Sequence, residues 1–253
     1  MEAAEARFRF YAELNDLLPA RKRKEREHIY RFYGKNTVKD AIESFDVPHT
    51  QVDLILVRQE AVSFDYIIRP GDYISVYPEF ESLDITGVTG LRPVPLRHPA
   101  FILDVHLGKL ARLMRMAGLD TLYRNDYEDR QIIDIARCEK RIILTRDKGI
   151  LKHRVVTHGH WLTATDPDKQ FIEVVKRFDL FARLKTFSRC IHCNAFLEPV
   201  EKSEVETLLK PGTRKCFSEF MRCTGCGRIY WRGNHYERMK KHLEELIRRE
   251  GKE

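Results

Sequence analysis

The chain has 253 residues, of which 43% are hydrophobic, and a formal net charge of +7. This length and composition are those of an ordinary globular protein and suffice for one large domain or two to three small ones. It contains no run of eighteen apolar residues and no apolar signal-peptide stretch, so we expect a cytoplasmic protein without a membrane partner.

The first predicted section, residues 1–90, alternates short strands with one helix. Asn36 or Thr37 is a candidate cap for that helix, and the sequence Arg-Pro-Gly-Asp-Tyr at 69–73 is a turn signal. The spacing of apolar residues predicts strands at 6–14, 29–33, 54–57 and 73–77 and a helix at 38–45.

This order of a hairpin, a helix and further strands resembles the β-grasp ubiquitin-like fold, and within it the small sulfur-carrier proteins. Those carriers end in a free Gly-Gly tail, whereas here the last strand is predicted to run on through Pro78 and Glu79 into another domain. We therefore expect a module that docks a protein partner or positions substrate, with a structural appendage as the alternative. A proline-spaced stretch at 91–99, LRPVPLRHP, is predicted to be an extended linker.

Residues 100–182 switch to alternating short strands and helices, which predicts a parallel sheet with helices on its faces. Within the first helix, Lys109, Arg112 and Arg115 are predicted to lie away from the buried stripe. The strand candidates are 101–105, 120–123, 141–145 and 160–164, and the apolar stripes of the helices begin at Leu107 and Ile132.

Three aspartates stand at the ends of these predicted elements. Asp104 follows the first strand, Asp147 follows the third, and Asp129 opens the helix between them. The carboxyl ends of strands in an open parallel sheet line the binding crevice, and carboxylates gathered there bind hard divalent cations such as Mg²⁺ or Mn²⁺. Taken singly, each aspartate also has a simpler role as a strand end or a helix cap.

The last section, residues 183–253, contains two Cys-x-x-Cys pairs. Four thiolates complete the tetrahedral shell that structural Zn²⁺ prefers and leave no position for a substrate water, so we expect a closed zinc ribbon. The alternatives are a disulfide framework and redox chemistry. Cys138 is expected to be a small core residue and Cys216 not to be a ligand. The predicted zinc ligands are Cys190, Cys193, Cys223 and Cys226.

Positive charge accumulates in this section. The formal charge is −2 over residues 1–98, +3 over 99–182 and +6 over 183–253, which suits contact with a nucleic acid backbone or a solvated basic face. Tyr230 and Trp231 are expected either to stack on unpaired bases or to form the small core of the ribbon. Helical spacing over 235–249 predicts a terminal helix that packs on the body of the protein.

The segment DRQIIDIARCEKRIILTRD, at 129–147, resembles the final part of a PIN-type nuclease domain. Together with FILDVHLGKLARLMRMAGLDT at 101–121 and the cysteine-rich end, it is similar to the mut-seven carboxyl-terminal RNase domain family. Some bacterial members of that family carry an amino-terminal ubiquitin-like section. The resemblance implies a three-layer α/β/α PIN-like domain with a parallel sheet, preceded by a β-grasp domain and followed by a zinc ribbon.

The resemblance also implies a function, namely metal-dependent hydrolysis of RNA phosphodiester bonds. Asp104, Asp129 and Asp147 would hold one or two Mg²⁺ or Mn²⁺ ions that activate a water. PIN domains often use a further acid, for which Asp126 and Glu128 are the nearest candidates. The alternative function is a non-catalytic RNA-binding or scaffolding protein on a degenerate PIN-like fold. The candidate contacts to RNA phosphate are Lys109, Arg112 and Arg146.

Overall fold

A computed structural model of the protein describes residues 3–78 and 99–250. The described residues fall into two compact units, within the ranges Met1–His98 with Ile133–Trp161 and Pro99–Ile132 with Leu162–Glu253. Within the described part of the chain, no helix is long and apolar enough to cross a membrane. Most of the linker predicted at 91–99 lies outside the described residues, so the division into three domains stays a prediction.

The first unit contains a five-stranded mixed sheet with strand order β2-β1-β5-β3-β4. Strands β1 and β5 pair in parallel, and the other neighbours pair antiparallel. The elements are β1 (Ala4–Phe10), α1 (Leu14–Leu17), β2 (His28–Phe32), α2 (Val38–Ser44), β3 (Leu54–Val57), β4 (Glu60–Ala61) and β5 (Tyr73–Tyr77). The predicted hairpin, helix and later strands are therefore confirmed, as is their β-grasp order.

Helix α2 packs its apolar side onto this sheet because Val38, Ala41 and Ile42 share one helical face and are all fully buried. Thr37 is its cap, since the Thr37 hydroxyl accepts a hydrogen bond from the Asp40 N–H at 3.1 Å. The cap and the buried stripe together fix where the helix begins and which side it buries.

Two turns border the strands of this sheet. The predicted turn before β5 forms around Gly71, which has a φ of +80°, and the buried Asp72 carboxylate accepts the Arg69 N–H at 2.8 Å.

The prediction that the first strand extends to residue 14 is wrong. Strand β1 ends at Phe10, Ala12 adopts a φ of 47°, and Leu14 begins α1, because a short apolar run fits a helical turn as well as a strand.

The next part of the chain confirms the predicted alternation of strands and helices. Strands β6 and β7 pair in parallel in the second unit, and β8 and β9 pair in parallel in the first. The α/β class with parallel strands is therefore confirmed. The elements are β6 (Phe101–Leu103), α3 (Gly108–Met116), β7 (Thr121–Leu122), α4 (Asp129–Glu139), β8 (Ile142–Thr145), α5 (Lys148–Lys152), β9 (Gly159–Trp161) and α6 (Pro167–Arg177).

Within the first unit, the β-grasp section contacts α5 and the chain around β9 through polar groups. The His49 Nε2 atom lies 2.8 Å from the Val156 carbonyl oxygen, and the Gln51 amide donates to the Gly159 carbonyl at 3.0 Å. Asp46 accepts hydrogen bonds from both Lys148 and Lys152 of α5. A further hydrogen bond joins the Lys148 ammonium to the Leu17 carbonyl. These contacts join α5 and the chain around β9 to the β-grasp section.

The second unit packs helices α3 and α6 around β6 and β7. Leu110, Ala111 and Met114 of α3 are fully buried, and the Phe101 ring meets the Phe178 ring edge-on at 5.4 Å. Gly118 lies two residues beyond the end of α3 and has a φ of +87°, and a Cβ there would lie 2.2 Å from the Lys185 carbonyl oxygen. Only glycine permits this close approach.

The carboxyl-terminal section forms an antiparallel sheet of three strands and a long final helix. Val205, Leu209 and Phe220 form its small core. The predicted terminal helix packs back on the second unit, because Leu243 and Leu246 are buried and the Tyr236 ring lies 4.4 Å from the Phe187 ring. The elements are β10 (Leu197–Val200), α7 (Lys202–Val205), α8 (Pro211–Cys216), β11 (Phe220–Cys223), β12 (Ile229–Trp231) and α9 (Asn234–Glu250), with sheet order β10-β11-β12.

Candidate metal centre and acidic residues

The four predicted cysteine ligands meet at one point of the second unit. The sulfur atoms of Cys190, Cys193, Cys223 and Cys226 all lie within 4.8 Å of one another. The Cys193 and Cys223 sulfurs are 3.3 Å apart, and those of Cys190 and Cys226 are 3.7 Å apart. A tetrahedral zinc site with Zn–S bonds of about 2.3 Å requires sulfur separations of roughly 3.8 Å. The donor set therefore fits a metal ion.

The backbone of both cysteine turns is arranged to stabilise thiolates. The Cys193 N–H points at the Cys190 sulfur at 3.5 Å, and the Gly225 and Cys226 N–H groups both point at the Cys223 sulfur at 3.4 Å. Gly227 follows with a φ of +70°, a conformation that most residues avoid. Amide hydrogens aimed at sulfur favour the charged form that binds metal.

Tyr230 of β12 also serves the cysteine cluster. Its hydroxyl oxygen lies 3.0 Å from the Cys190 sulfur. Burial by itself would raise the pKa of Cys190, but hydrogen bonds from Tyr230 and from the backbone of Cys193 and His192 outweigh it and lower the pKa to about 6. Burial and the bond to Cys190 raise the pKa of Tyr230. Tyr230 is thus a support of the ribbon, whereas Trp231 is 38% exposed.

Arg115 joins helix α3 to the first cysteine turn. Its guanidinium donates to the Thr121 carbonyl at 2.9 Å and to the His192 carbonyl at 2.7 Å. Longer contacts reach the Tyr123 carbonyl at 3.3 Å and the Ile191 carbonyl at 3.4 Å. The side chain is only 4% exposed, and burial lowers its pKa. The prediction that Arg115 lies away from the buried face is wrong, because backbone carbonyls satisfy its donors inside the unit.

A second anchor runs through Asn194, which follows the first cysteine turn with a φ of +75°. Its side-chain oxygen accepts the Thr121 N–H at 2.9 Å, and its amide donates to Asp120 at 2.9 Å. Arg189 donates to the same Asp120 carboxylate at 3.2 Å. Sequence reasoning missed both anchors, although Asn immediately after a Cys-x-x-Cys turn is a signal for a left-handed residue.

The other two cysteines lie outside the cluster. Cys216 is exposed at the end of α8 and is not among the four clustered residues, as expected. Cys138 is exposed on α4, so its prediction as a core residue is wrong. It lies on the solvent side of a helix whose buried stripe is formed by Ile132, Ile133 and Ala136. His192, between two ligands, is exposed and outside the cluster.

Asp104 and Asp147 each follow a strand, as predicted. Asp104 comes after β6, is 6% exposed, and makes no side-chain capping bond to the short turn that it begins. Asp147 comes after β8 and is exposed, and its Oδ1 atom accepts the Gly149 N–H at 2.7 Å, which caps α5. The Asp147 N–H in turn donates to the Thr145 hydroxyl at 2.8 Å. Asp147 therefore caps α5, which is the simpler of the two roles considered for it in the sequence.

Asp129 is the first residue of α4 and lies exposed in its first turn. The Glu128 carbonyl accepts the Ile132 N–H at 3.0 Å, and the Gln131 side chain accepts the Glu128 N–H at 3.0 Å. Glu128 therefore occupies the cap position that was predicted for Asp129. Asp104 and Asp129 belong to the second unit and Asp147 to the first.

The remaining predicted residues are all at the surface. Asp126 forms a two-point ion pair with Arg124, at 2.9 and 2.6 Å, and this hydrogen bonding lowers the pKa of Asp126. Lys109 and Arg112 are exposed on α3. Arg146 is exposed after β8, and its carbonyl accepts the Trp161 indole N–H at 3.1 Å.

These features define a class of protein: a ubiquitin-like sheet, a parallel α/β section with acids after its strands, and a four-cysteine ribbon. The family model of the Mut7-C RNAse domain matches residues 99–243, and that of the Mut7-C ubiquitin domain matches residues 3–84. The chain belongs to the Mut7-C RNAse domain family, as the resemblance predicted. Neither the curated proteins nor the solved structures include a significant match.

Proposed function

We propose that the protein is a divalent-metal-dependent ribonuclease that hydrolyses RNA phosphodiester bonds with Asp104, Asp129 and Asp147. The observation that carries this proposal is the Mut7-C RNAse match over residues 99–243, which includes all three acids. Two of them directly follow strands that pair in parallel, β6 and β8. In open parallel sheets such positions supply ligand-binding groups.

Asp147 has the chemistry that this role needs. Its Oδ1 atom is committed to the Gly149 N–H, whereas Oδ2 accepts no hydrogen bond from the described residues. The cap bond restrains the rotation of the carboxylate and leaves one oxygen to act as a ligand in an exposed position. Magnesium is bound by a few carboxylates and keeps several waters, which such a position allows.

The bound metal would lower the pKa of a water and stabilise charge on the leaving oxygen. The residues of the chain would hold and orient the reacting groups. Asp104, buried directly after β6, has little freedom to move, and Asp129 lies in the first turn of α4, where the helix dipole favours a carboxylate. Lys109, Arg112 and Arg146 are exposed cations suited to phosphate.

We propose that the metal of the cysteine cluster is structural zinc, since a closed set of four cysteine ligands is typical of structural zinc sites and leaves no open position. Elemental analysis of protein purified without chelator should give one tightly bound zinc per chain. Cys193→Ser should lose it, whereas Cys216→Ser, an exposed cysteine outside the cluster, should keep it. Absence of zinc from the wild-type protein would contradict the assignment.

The ribonuclease proposal is tested with labelled RNA and Mg²⁺ or Mn²⁺. Asp104→Asn, Asp129→Asn and Asp147→Asn should each lower the cleavage rate by about 100-fold or more, because each removes a negative charge from the metal site. Asp166→Asn is the matched control. Asp166 caps α6 by accepting the Lys169 N–H at 3.1 Å and is not a candidate acid, so this variant should cleave normally.

Equal cleavage by the wild type and by Asp104→Asn would contradict the assignment. Tight RNA binding without metal-dependent cleavage would instead favour the non-catalytic RNA-binding alternative. The ion pair between Asp126 and Arg124 also favours this alternative. Asp126 is one of the two candidates for a fourth acid, and its carboxylate is already bound to the arginine. A protein partner for the ubiquitin-like domain and a cytoplasmic location stay predictions.

A further inference from the structure

A basic cavity of about 670 Å³ opens in the second unit beside the cysteine cluster. The start of α3, the segment after β7, the first cysteine turn and β12 all contribute to its lining. Its volume lies within the ordinary range of ligand sites. We propose that this cavity binds one phosphate and the adjoining base of single-stranded RNA. This proposal rests on the ribonuclease function above and names where its substrate is held.

The charges of the cavity favour an anion. Arg112 and Arg228 are both exposed in its lining, and neither makes an ion pair with a described carboxylate. An Nη2 atom of Arg228 lies 3.5 Å from the His192 Nε2 atom. The described lining includes no Asp or Glu, so an RNA phosphate is the complementary group.

Two other arginines of the lining are already committed, which narrows the phosphate position to Arg112 and Arg228. Arg115 is buried against backbone carbonyls of the first cysteine turn. Its charge partly offsets the two negative charges that four thiolates and one Zn²⁺ would leave. Arg124 is paired with Asp126. Arg112 and Arg228 are left as the cations that a ligand can reach.

Two tyrosines give the cavity walls on which a base can stack. The Tyr123 hydroxyl donates to the Val105 carbonyl at 2.9 Å, and a Cβ on Gly108 would lie 2.7 Å from that hydroxyl, so only glycine lets the ring sit over the start of α3. The Tyr230 hydroxyl is held by the Cys190 sulfur. Rings fixed by their hydroxyls lose little entropy on binding, and unpaired bases expose the faces that stack on them.

The test is fluorescence anisotropy of a short labelled oligouridylate with the full chain carrying Asp104→Asn, without added divalent metal. Arg112→Gln and Arg228→Gln should each weaken binding by about tenfold, since each removes a charge-assisted contact to phosphate. The slope of log affinity against log salt should fall by about 0.7 for each contact. Arg228→Lys keeps the positive charge but loses the paired N–H donors of the guanidinium. It should therefore lose less affinity for RNA than Arg228→Gln.

Arg214→Gln is the matched control, because Arg214 is an exposed arginine of the same ribbon outside the cavity lining. It should bind RNA as the parent does. Unchanged affinity of both cavity variants, or an equal loss in the control, would overturn the proposal. Duplex RNA that binds as tightly as the single strand would overturn the base contact. Full competition by adenosine monophosphate would identify a free nucleotide instead of a strand.

Failure of the cavity proposal can be distinguished from failure of the ribonuclease proposal. Binding is measured without cleavage, so a wild-type protein that fails to cut RNA leaves the cavity proposal standing if the two arginine variants still bind poorly. A protein that cuts RNA but binds it equally well in all variants refutes only the cavity. Zinc content and thermal midpoint equal to those of the parent establish that each variant is folded.

Discussion

Arg115→Met should strongly destabilise the second unit. Methionine keeps a long, flexible side chain at this position but removes the guanidinium group. Two of the guanidinium contacts are short, at 2.9 Å to the Thr121 carbonyl and 2.7 Å to the His192 carbonyl. A hydrogen bond to a charged group contributes about 1.5–3 kcal/mol, and the methionine would leave both carbonyls without their donor. The two longer contacts add little.

The sum of the two short bonds is about 3–6 kcal/mol. The cost of burying the charge, which also lowers the pKa of Arg115, reduces the net loss toward the lower end. A loss of about 3 kcal/mol is a large part of the 5–15 kcal/mol that a domain has. The thermal midpoint should fall by roughly 6–12 °C. Zinc affinity should fall about 10–100-fold, since the support of the first cysteine turn is removed.

The assays are thermal unfolding and the release of zinc to a colorimetric chelator. Arg112→Met is the matched control, because Arg112 lies one turn earlier on α3 and is exposed. An exposed substitution of this kind should change stability by less than about 0.5 kcal/mol. If Arg115→Met and Arg112→Met unfold at the same temperature and release zinc at the same rate, the anchoring role of Arg115 is refuted.

Substitutions at three other positions test other parts of the structure. Asp147→Ala should abolish RNA cleavage and also lower the free energy of unfolding by about 1 kcal/mol, because it removes the cap of α5. Asp147→Asn should abolish cleavage only. Retained cleavage by the Asn variant would count against the metal role of Asp147. Gly118→Ala should cost at least about 2 kcal/mol in denaturant unfolding, because φ is +87° and the new Cβ meets the Lys185 carbonyl at 2.2 Å; a neutral effect would contradict this packing. At Asp46, burial alone would raise the pKa, but hydrogen bonds from Lys152 and Lys148 outweigh it and lower the pKa. The contribution of these pairs is therefore present above the unfolded pKa of about 3.9 and is lost as pH falls through the lower folded value. Because Asp46 is 45% exposed, Asp46→Asn should cost no more than about 1 kcal/mol at neutral pH, and its difference from wild type should vanish in acid.

Much of the element order follows from local pattern. Strands β3 and β5 form at the predicted residues 54–57 and 73–77, because their apolar spacing and the Pro-Gly-Asp turn act within a few residues. The cysteine cluster was predictable for the same reason, since each Cys-x-x-Cys turn places two sulfurs together by itself. The helical conformation of Leu14 was not predictable, because a short apolar run does not distinguish a strand from a helical turn.

The sequence by itself determined which carboxylates end the strands, which thiols can bind metal, and which family the chain resembles. Only the tertiary structure decided that Arg115 is buried and that Cys138 is exposed. It also decided that Arg112 and Arg228 line one cavity. The physical reason is that a buried cation needs acceptors, and those of Arg115 come partly from His192, 77 positions away. Local periodicity does not contain such distant partners, so the fold alone supplies them.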